Sequence, residues 1–183
     1  MEYPLGVEFR YENDPLIIEV DHVFSEEECS QYIEFIEQSS PRLATNNAIY
    51  RDQDRVIKDD PSLASKLFYK IKQSLPLRLG EFELSRINER FRFYRYNPGQ
   101  KFPPHMDHWY QANDSEISLY SILIYLNSEF SGGQTRFMEQ IEKTVIPEVG
   151  KAAIFQHKIR HEGCEVTNGT KYAVRTDIMY KKL

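Results

Sequence analysis

Apolar positions change their spacing near the middle of the chain. In the first half they recur at helical intervals. Cys29, Tyr32, Ile33 and Ile36 predict an amphipathic helix over about 26–38. Ser25 precedes it and Glu28 follows three residues later, which makes a capping box. Leu63, Leu67 and Ile71, helped by Ala64 and Phe68, mark a second helix that opens at Asp60-Pro61 and is stopped by Pro76. Residues 15–24 read as a short strand and turn. Residues 39–59 are polar and carry no period, so they read as a long loop with room for one short strand. A loop of that length is either a functional lid or a solvated excursion.

From about residue 86 the spacing shortens to two. "INERFRFYRYNPGQ" alternates and then turns at Asn97-Pro98-Gly99. "ISLYSILIYLN" is apolar on both faces in its middle, which predicts a buried strand. "GGQTRF", "KTVIPEVGKAAIFQ" and "KYAVRTDIMY" add further strands. No helical pattern interrupts this half. Many short strands with Gly and Pro turns predict a sandwich or jelly roll. The two helices are expected to pack on the outside of its sheet.

Length and charge narrow the class. The chain has 183 residues, which suits one domain, and a net charge of -5 with both signs spread along it. Nothing resembles a basic nucleic-acid face, and no apolar run approaches a membrane span. The two cysteines, Cys29 and Cys164, form no CxxC pair, and with no apolar leader at the N-terminus the expected compartment is cytoplasmic.

Candidate chemistry gathers in "PPHMDHWY". His105 and Asp107 are two apart, so an extended segment points both to one side and His108 to the other. Pro103 and Pro104 argue against a helix, which would have paired His105 with His108 instead. A third ligand must come from a distant strand. His161, before Glu-Gly in "HKIRHEG", is favoured over His157, which reads as a packed core histidine. Replacing His161 is therefore expected to abolish metal binding, and replacing His157 or His108 to spare it. Two histidines and a carboxylate on one face of an ion match the triad of non-haem Fe(II) oxygenases, with zinc as the competing metal. Lys171 and Arg175 lie four apart on the last strand and so on one face. Two buried cations need an anion, either a dicarboxylate cosubstrate or protein carboxylates such as Asp177.

Five ordered blocks then carry a family resemblance: "YNPGQKFPPHMD", "YSILIYLN", "GGQTRF", "IPEVGKAAIFQHKIRHEG" and "KYAVRTDIMY". Over roughly residues 90–180 the chain resembles the prolyl 4-hydroxylase branch of the Fe(II)- and 2-oxoglutarate-dependent dioxygenases. The resemblance implies an α+β, mainly β fold with a double-stranded β-helix (jelly-roll) core. Residues 86–183 would form that catalytic core and residues 1–85 its helical and strand support, within one domain. It implies Fe(II) on His105, Asp107 and His161. It places Lys171 on the distal carboxylate of 2-oxoglutarate, Tyr125 on the same carboxylate, and Tyr96 in the wall. Arg175 departs from a single-base pattern and would assist that carboxylate or meet the substrate. Ascorbate is the implied reductant.

The implied reaction is oxidative decarboxylation of 2-oxoglutarate to succinate and CO2 with hydroxylation of a second substrate. The family implies a prolyl residue in a peptide or protein; a free small molecule is the alternative, and a non-catalytic metal-binding jelly roll is the alternative of another class. Trp109 and Tyr110 follow the triad and either meet the substrate or pack as core. Arg51 and Arg55, in the 39–59 segment, are candidates to cover the mouth. Oligomeric state is not legible.

Overall fold

The computed structural model describes residue 5 and residues 16–43, 52–139 and 141–183. Its elements run β1 (Ile17–Val20), α1 (Glu26–Gln38), β2 (Arg42–Leu43), β3 (Asp54–Asp59), α2 (Pro61–Ile71), β4 (Arg78–Leu79), β5 (Phe82–Ile87) and β6 (Arg90–Tyr96). They continue with β7 (Phe102–His105), β8 (Gln111–Asn113), β9 (Glu116–Tyr125), β10 (Phe130–Gly132), β11 (Thr135–Met138) and β12 (Lys143–Val145). The chain closes with β13 (Ala152–Gln156), β14 (Arg160–Gly163), β15 (Val166–Gly169) and β16 (Lys171–Lys182).

Both helices begin where their caps predict. Ser25 Oγ accepts the Glu28 N–H at 3.1 Å, and Glu28 Oε2 accepts the Ser25 N–H at 2.9 Å. Asp60 Oδ1 accepts the Leu63 N–H at 2.9 Å, with Pro61 in the first turn. Gly150 then lets the chain before α1 come close. At its φ of +75° an added Cβ would stand 2.0 Å from the Phe24 carbonyl oxygen, while the Gly150 carbonyl accepts the Val23 N–H at 2.8 Å.

The large sheet is antiparallel, ordered β1-β13-β9-β16-β6-β3-β2, with β5 also paired to β16. The strand period of two divides its central strands between two faces. Phe91 and Phe93 on β6, Ile122 and Ile124 on β9, and Val174 and Ile178 on β16 join one buried cluster with Ile36 of α1 and Leu67 and Ile71 of α2. That face is the seat of the helices. The alternate residues look the other way, toward a second sheet ordered β12-β11-β14-β7. Phe137 of β11 meets Phe155 of β13 edge-on at 5.0 Å, inside a cluster with Tyr125, Val145, Ala153 and Ile159. The result is the mainly β, double-stranded β-helix layout with helices on its outside. It also explains why β9 is apolar on both faces: one face meets helices, the other the second sheet.

The 39–59 reading is corrected in part. Residues 54–59 form β3, which pairs with β6 from Asp54 opposite Arg95 to Asp59 opposite Arg90. Its sequence, DRVIKD, has only two adjacent apolar residues, so pairing to a central strand rather than local pattern makes it a strand. Residues 44–51, including Arg51, lie outside the described residues, as does the segment 6–15. β5 is likewise set by its partner β16, and it straddles the boundary at residue 86. Among the described residues no helix is long and apolar enough to cross a membrane. Cys29 and Cys164 are free thiols.

Candidate active site

Strand pairing assembles the candidate metal ligands. β7 and β14 are antiparallel neighbours, and His161 sits directly opposite His105. Their ring centroids are 4.3 Å apart. The chain then turns inward after β7, because the Asp107 N–H donates to the His157 carbonyl at 2.9 Å. His105, Asp107 and His161 each offer one ligand atom, and these atoms all lie within 4.8 Å of one another. His108 is exposed and points away, with its ring 6.5 Å from Trp109.

The tautomers are fixed locally. His105 Nδ1 lies 2.8 Å from the Pro103 carbonyl and His161 Nδ1 lies 2.9 Å from the Ile159 carbonyl. A carbonyl only accepts, so both Nδ1 atoms carry a proton, and Nε2 is the nitrogen of each ring left to serve as a ligand atom. Those Nε2 atoms face Asp107, at 3.6 Å and 3.8 Å. Burial pushes the His161 imidazole down to about 4, against the pull of Asp107. Burial alone would raise the Asp107 carboxyl, but Arg175 and the two histidines outweigh it and hold it well below the usual range. The donor set is therefore two imidazole nitrogens and one carboxylate on one side of a common point. It suits a divalent ion and leaves the far side open.

The triad opens into a pocket with ≈ 430 Å³ of atom-free space. Tyr94, Tyr96, Phe102 and Phe155 form aromatic walls, with Lys171 and Arg175 at two stations along β16. Lys171 is buried and forms no ion pair among the described residues. Its ammonium donates to the Gly133 carbonyl at 2.6 Å and lies over the Tyr96 and Tyr125 rings, 5.1 Å and 5.4 Å from their centroids. Burial pushes the ammonium down to about 8. Gly133 permits this approach, since an added Cβ would stand 3.1 Å from Lys171 Cδ.

Arg175 is different. Nη1 lies 3.0 Å from Asp107 Oδ1, and Nη2 lies 3.1 Å from Asp177 Oδ1. Asp177 in turn takes Arg92 at 3.3 Å. Protein carboxylates thus already match this cation, which is the alternative that the sequence left open. Arg175 Nε and the Tyr94 hydroxyl are both buried and lie beside one another, and neither has a further hydrogen-bond partner among the described residues.

Tyr125 is fully buried, and its hydroxyl donates to Thr135 Oγ1 at 2.7 Å; Thr135 lines the pocket. Burial raises the phenol, so it stays protonated. Trp109 packs against the main core, Tyr110 lines a separate polar pocket with Arg92 and Asn88, and Arg55 sits on β3 opposite Tyr94. None of these three lines the triad pocket. Tyr94 does, and sequence reasoning passed over it. The signal was present: in "RFRFYRY" the residue two before Tyr96 shares its face.

Comparison with known proteins decides the family. Residues 91–176 match the family model of the 2OG-Fe(II) oxygenase superfamily. The chain carries a 2OG-Fe(II) oxygenase domain. The oxygenase is a 2-oxoglutarate-dependent dioxygenase, and Fe(II) and 2-oxoglutarate are its cofactor and cosubstrate. No curated protein matches its sequence. Its fold is similar to that of a viral collagen prolyl hydroxylase from Paramecium Bursaria Chlorella virus-1, at 17% identity and a TM-score of 0.65, covering 91% of this chain and 97% of that one. A Pseudomonas putida prolyl-4-hydroxylase is similar at 18% identity and TM-score 0.64, covering 91% and 92%. A Trichoplax adhaerens prolyl hydroxylase, solved with a hypoxia inducible factor peptide fragment, follows at 17% and 0.63, covering 88% and 82%. The oxygenase thus reads the same β-helix frame with a largely different sequence.

Proposed function

We propose that the oxygenase hydroxylates a prolyl residue in a peptide or protein, with Fe(II) held by His105, Asp107 and His161 and 2-oxoglutarate anchored by Lys171. One observation carries the site assignment. A buried ammonium without a counter-ion shares a pocket with two imidazoles whose Nε2 lone pairs face one carboxylate. An unpaired buried cation is costly, and the distal carboxylate of 2-oxoglutarate removes that cost. The donor set fits Fe(II), and the partnerless Tyr94 hydroxyl and Arg175 Nε–H fit further oxygen atoms in the same pocket.

Fe(II) held by these residues would supply O2-dependent oxidative decarboxylation of 2-oxoglutarate, one oxygen atom of O2 going to succinate, alongside CO2 release, and the other into a substrate C–H bond. The chain's residues hold the geometry for it. Lys171 fixes the cosubstrate's far end, Tyr125 and Thr135 supply hydroxyls beside it, and Arg175 holds Asp107. Tyr94, Tyr96, Phe102 and Phe155 keep bulk water from the reacting atoms.

The peptide substrate is supported by the three prolyl hydroxylases that share the fold. The second reading, a free small molecule, is supported by the polar atoms left partnerless beside the triad. We read the whole chain as one such domain, since strands before residue 86 complete the large sheet. Two free thiols and an acidic net charge suit a cytoplasmic enzyme that binds no nucleic acid. The test is succinate release by purified protein with Fe(II), ascorbate and 2-oxoglutarate, followed by mass spectrometry of proline-containing peptides. A gain of 16 Da on proline is expected. Turnover with free amino acids alone would favour the second reading, and no 2-oxoglutarate binding at all would defeat both.

A further inference from the structure

His157 is fully buried, and the sequence made it a packed core histidine with no part in the site. Its surroundings say more. Nδ1 lies 2.9 Å from Ser121 Oγ, and Nε2 lies 2.9 Å from Ser118 Oγ. Ser121 Oγ lies 2.6 Å from Asp107 Oδ2. Ser118 Oγ accepts the Tyr110 N–H at 2.8 Å.

The direction of every bond follows from the two ends. Asp107 as a carboxylate only accepts, so the one hydroxyl proton of Ser121 goes to it. Ser121 must then accept from His157, which places the imidazole proton on Nδ1. Nε2 is left as an acceptor, and the Ser118 hydroxyl donates to it. At the far end a backbone N–H can only donate, and Ser118 Oγ still has a lone pair to receive it. Arg175 Nη2 also donates to Ser121 Oγ, at 3.1 Å. Ser121 thereby makes one donated and two accepted bonds, the full capacity of a hydroxyl. Burial holds the His157 imidazole down at about 4, in keeping with the neutral tautomer this chain requires.

We infer that His157 is a positioning residue for the metal carboxylate, acting through Ser121, and that one directed chain joins Asp107 to the backbone of Tyr110. The same residue acts twice on Asp107, since its carbonyl also accepts the Asp107 N–H at 2.9 Å. Oδ2 is held by Ser121 and Oδ1 by Arg175, so the carboxylate cannot rotate without breaking one of them. Partners of this kind fix the direction in which a ligand's remaining lone pairs point. The inference rests on the metal site proposed above.

Co(II) provides the test, because its affinity and its visible absorption are read without turnover. Ser121→Ala removes one hydroxyl and is expected to weaken Co(II) binding about 10–100-fold and to shift the absorption bands. His157→Asn keeps an amide nitrogen at the reach of Nδ1 and is expected to stay within about threefold of wild type by that principle. His157→Gln moves the amide out to the reach of Nε2 and is expected to behave like Ser121→Ala. Apo melting temperatures identify any variant that fails to fold, and Ser121→Ala then carries the test alone. Wild-type affinity and spectrum in Ser121→Ala would overturn the inference while leaving the site intact. A wild-type protein that does not bind Co(II) would overturn the site and the inference together.

Discussion

Lys171 and Arg175 stand four residues apart on one face of one strand and line the same pocket, Lys171 buried and Arg175 nearly so. Their surroundings are opposite. Arg175 has a carboxylate on each side, Asp107 and Asp177, and is part of the folded protein's own charge balance. Lys171 has a carbonyl and two ring faces, and its charge meets no carboxylate among the described residues. Sequence identity and side-chain direction do not separate an anchor for a cosubstrate from a structural cation. The presence or absence of a protein anion does.

The comparison can be broken in several ways. The largest effect is expected from His161→Ala, which removes the ligand facing both cations' pocket. It should lose measurable Co(II) and Fe(II) binding by titration and all succinate release. Arg175→Met comes next, because it leaves Asp177 and Asp107 buried with less compensation. It should cost about 3–5 kcal/mol and lower the apo melting temperature by about 10 °C, read by calorimetry. Lys171→Met should do the reverse. Losing an unmatched buried cation should hold or raise the melting temperature, while the apparent Kd for 2-oxoglutarate rises about 10–100-fold, the worth of a charged hydrogen bond. If both variants lower stability alike, the contrast between the two cations is wrong.

A smaller and more specific effect concerns pH. The Lys171 ammonium has its pKa lowered by burial to about 8, against an ordinary value of 10.5. The unfolded chain therefore binds more protons than the folded one between those values, so this residue's penalty to stability eases as pH rises through them. Its charge, and with it cosubstrate affinity, is present below about 8 and fades above. KM for 2-oxoglutarate should rise from pH 7.5 to pH 9 and approach about tenfold per pH unit at the top of that range. Lys171→Arg should flatten the profile, since a guanidinium keeps its proton there. The smallest effect is expected at Tyr94→Phe. It removes a hydroxyl whose one neighbour among the described residues is the Arg175 guanidinium, itself already held by two carboxylates, so apo stability should change little. Any loss in KM for 2-oxoglutarate or in substrate KM would then report which ligand meets that hydroxyl.

Much of the fold was legible because it is written in local chemistry. Ser25 and Glu28, or Asp60 and Pro61, cap a helix wherever it lies. The two-residue spacing of "RFRFYRY" and the apolar run of "ISLYSILIYLN" report strands without knowledge of their neighbours. β3 and β5 were harder, since charged and polar residues become strands there by pairing with β6 and β16. His105, Asp107 and His161 were legible through their spacing and the order of the surrounding blocks. Trp109 and Tyr110 were placed near the site by proximity in the chain and Arg55 as part of a covering loop, and none of them lines the pocket.

By itself, then, the sequence determined a sandwich or jelly-roll class, the helix caps and the two cations through residue type and short spacing, and the β-helix core and candidate triad through the family resemblance of its ordered blocks. The tertiary structure alone decided which cation is already neutralised, which wall Tyr94 joins, and that the His157 ring is linked through Ser121 to the Asp107 carboxylate rather than merely packed. Those outcomes depend on residues 36 and 54 positions apart, Ser121 with His157 and Ser121 with Arg175, meeting at hydrogen-bond distance. A hydrogen bond is made or lost within a fraction of an ångström, and no periodicity along the chain carries that information.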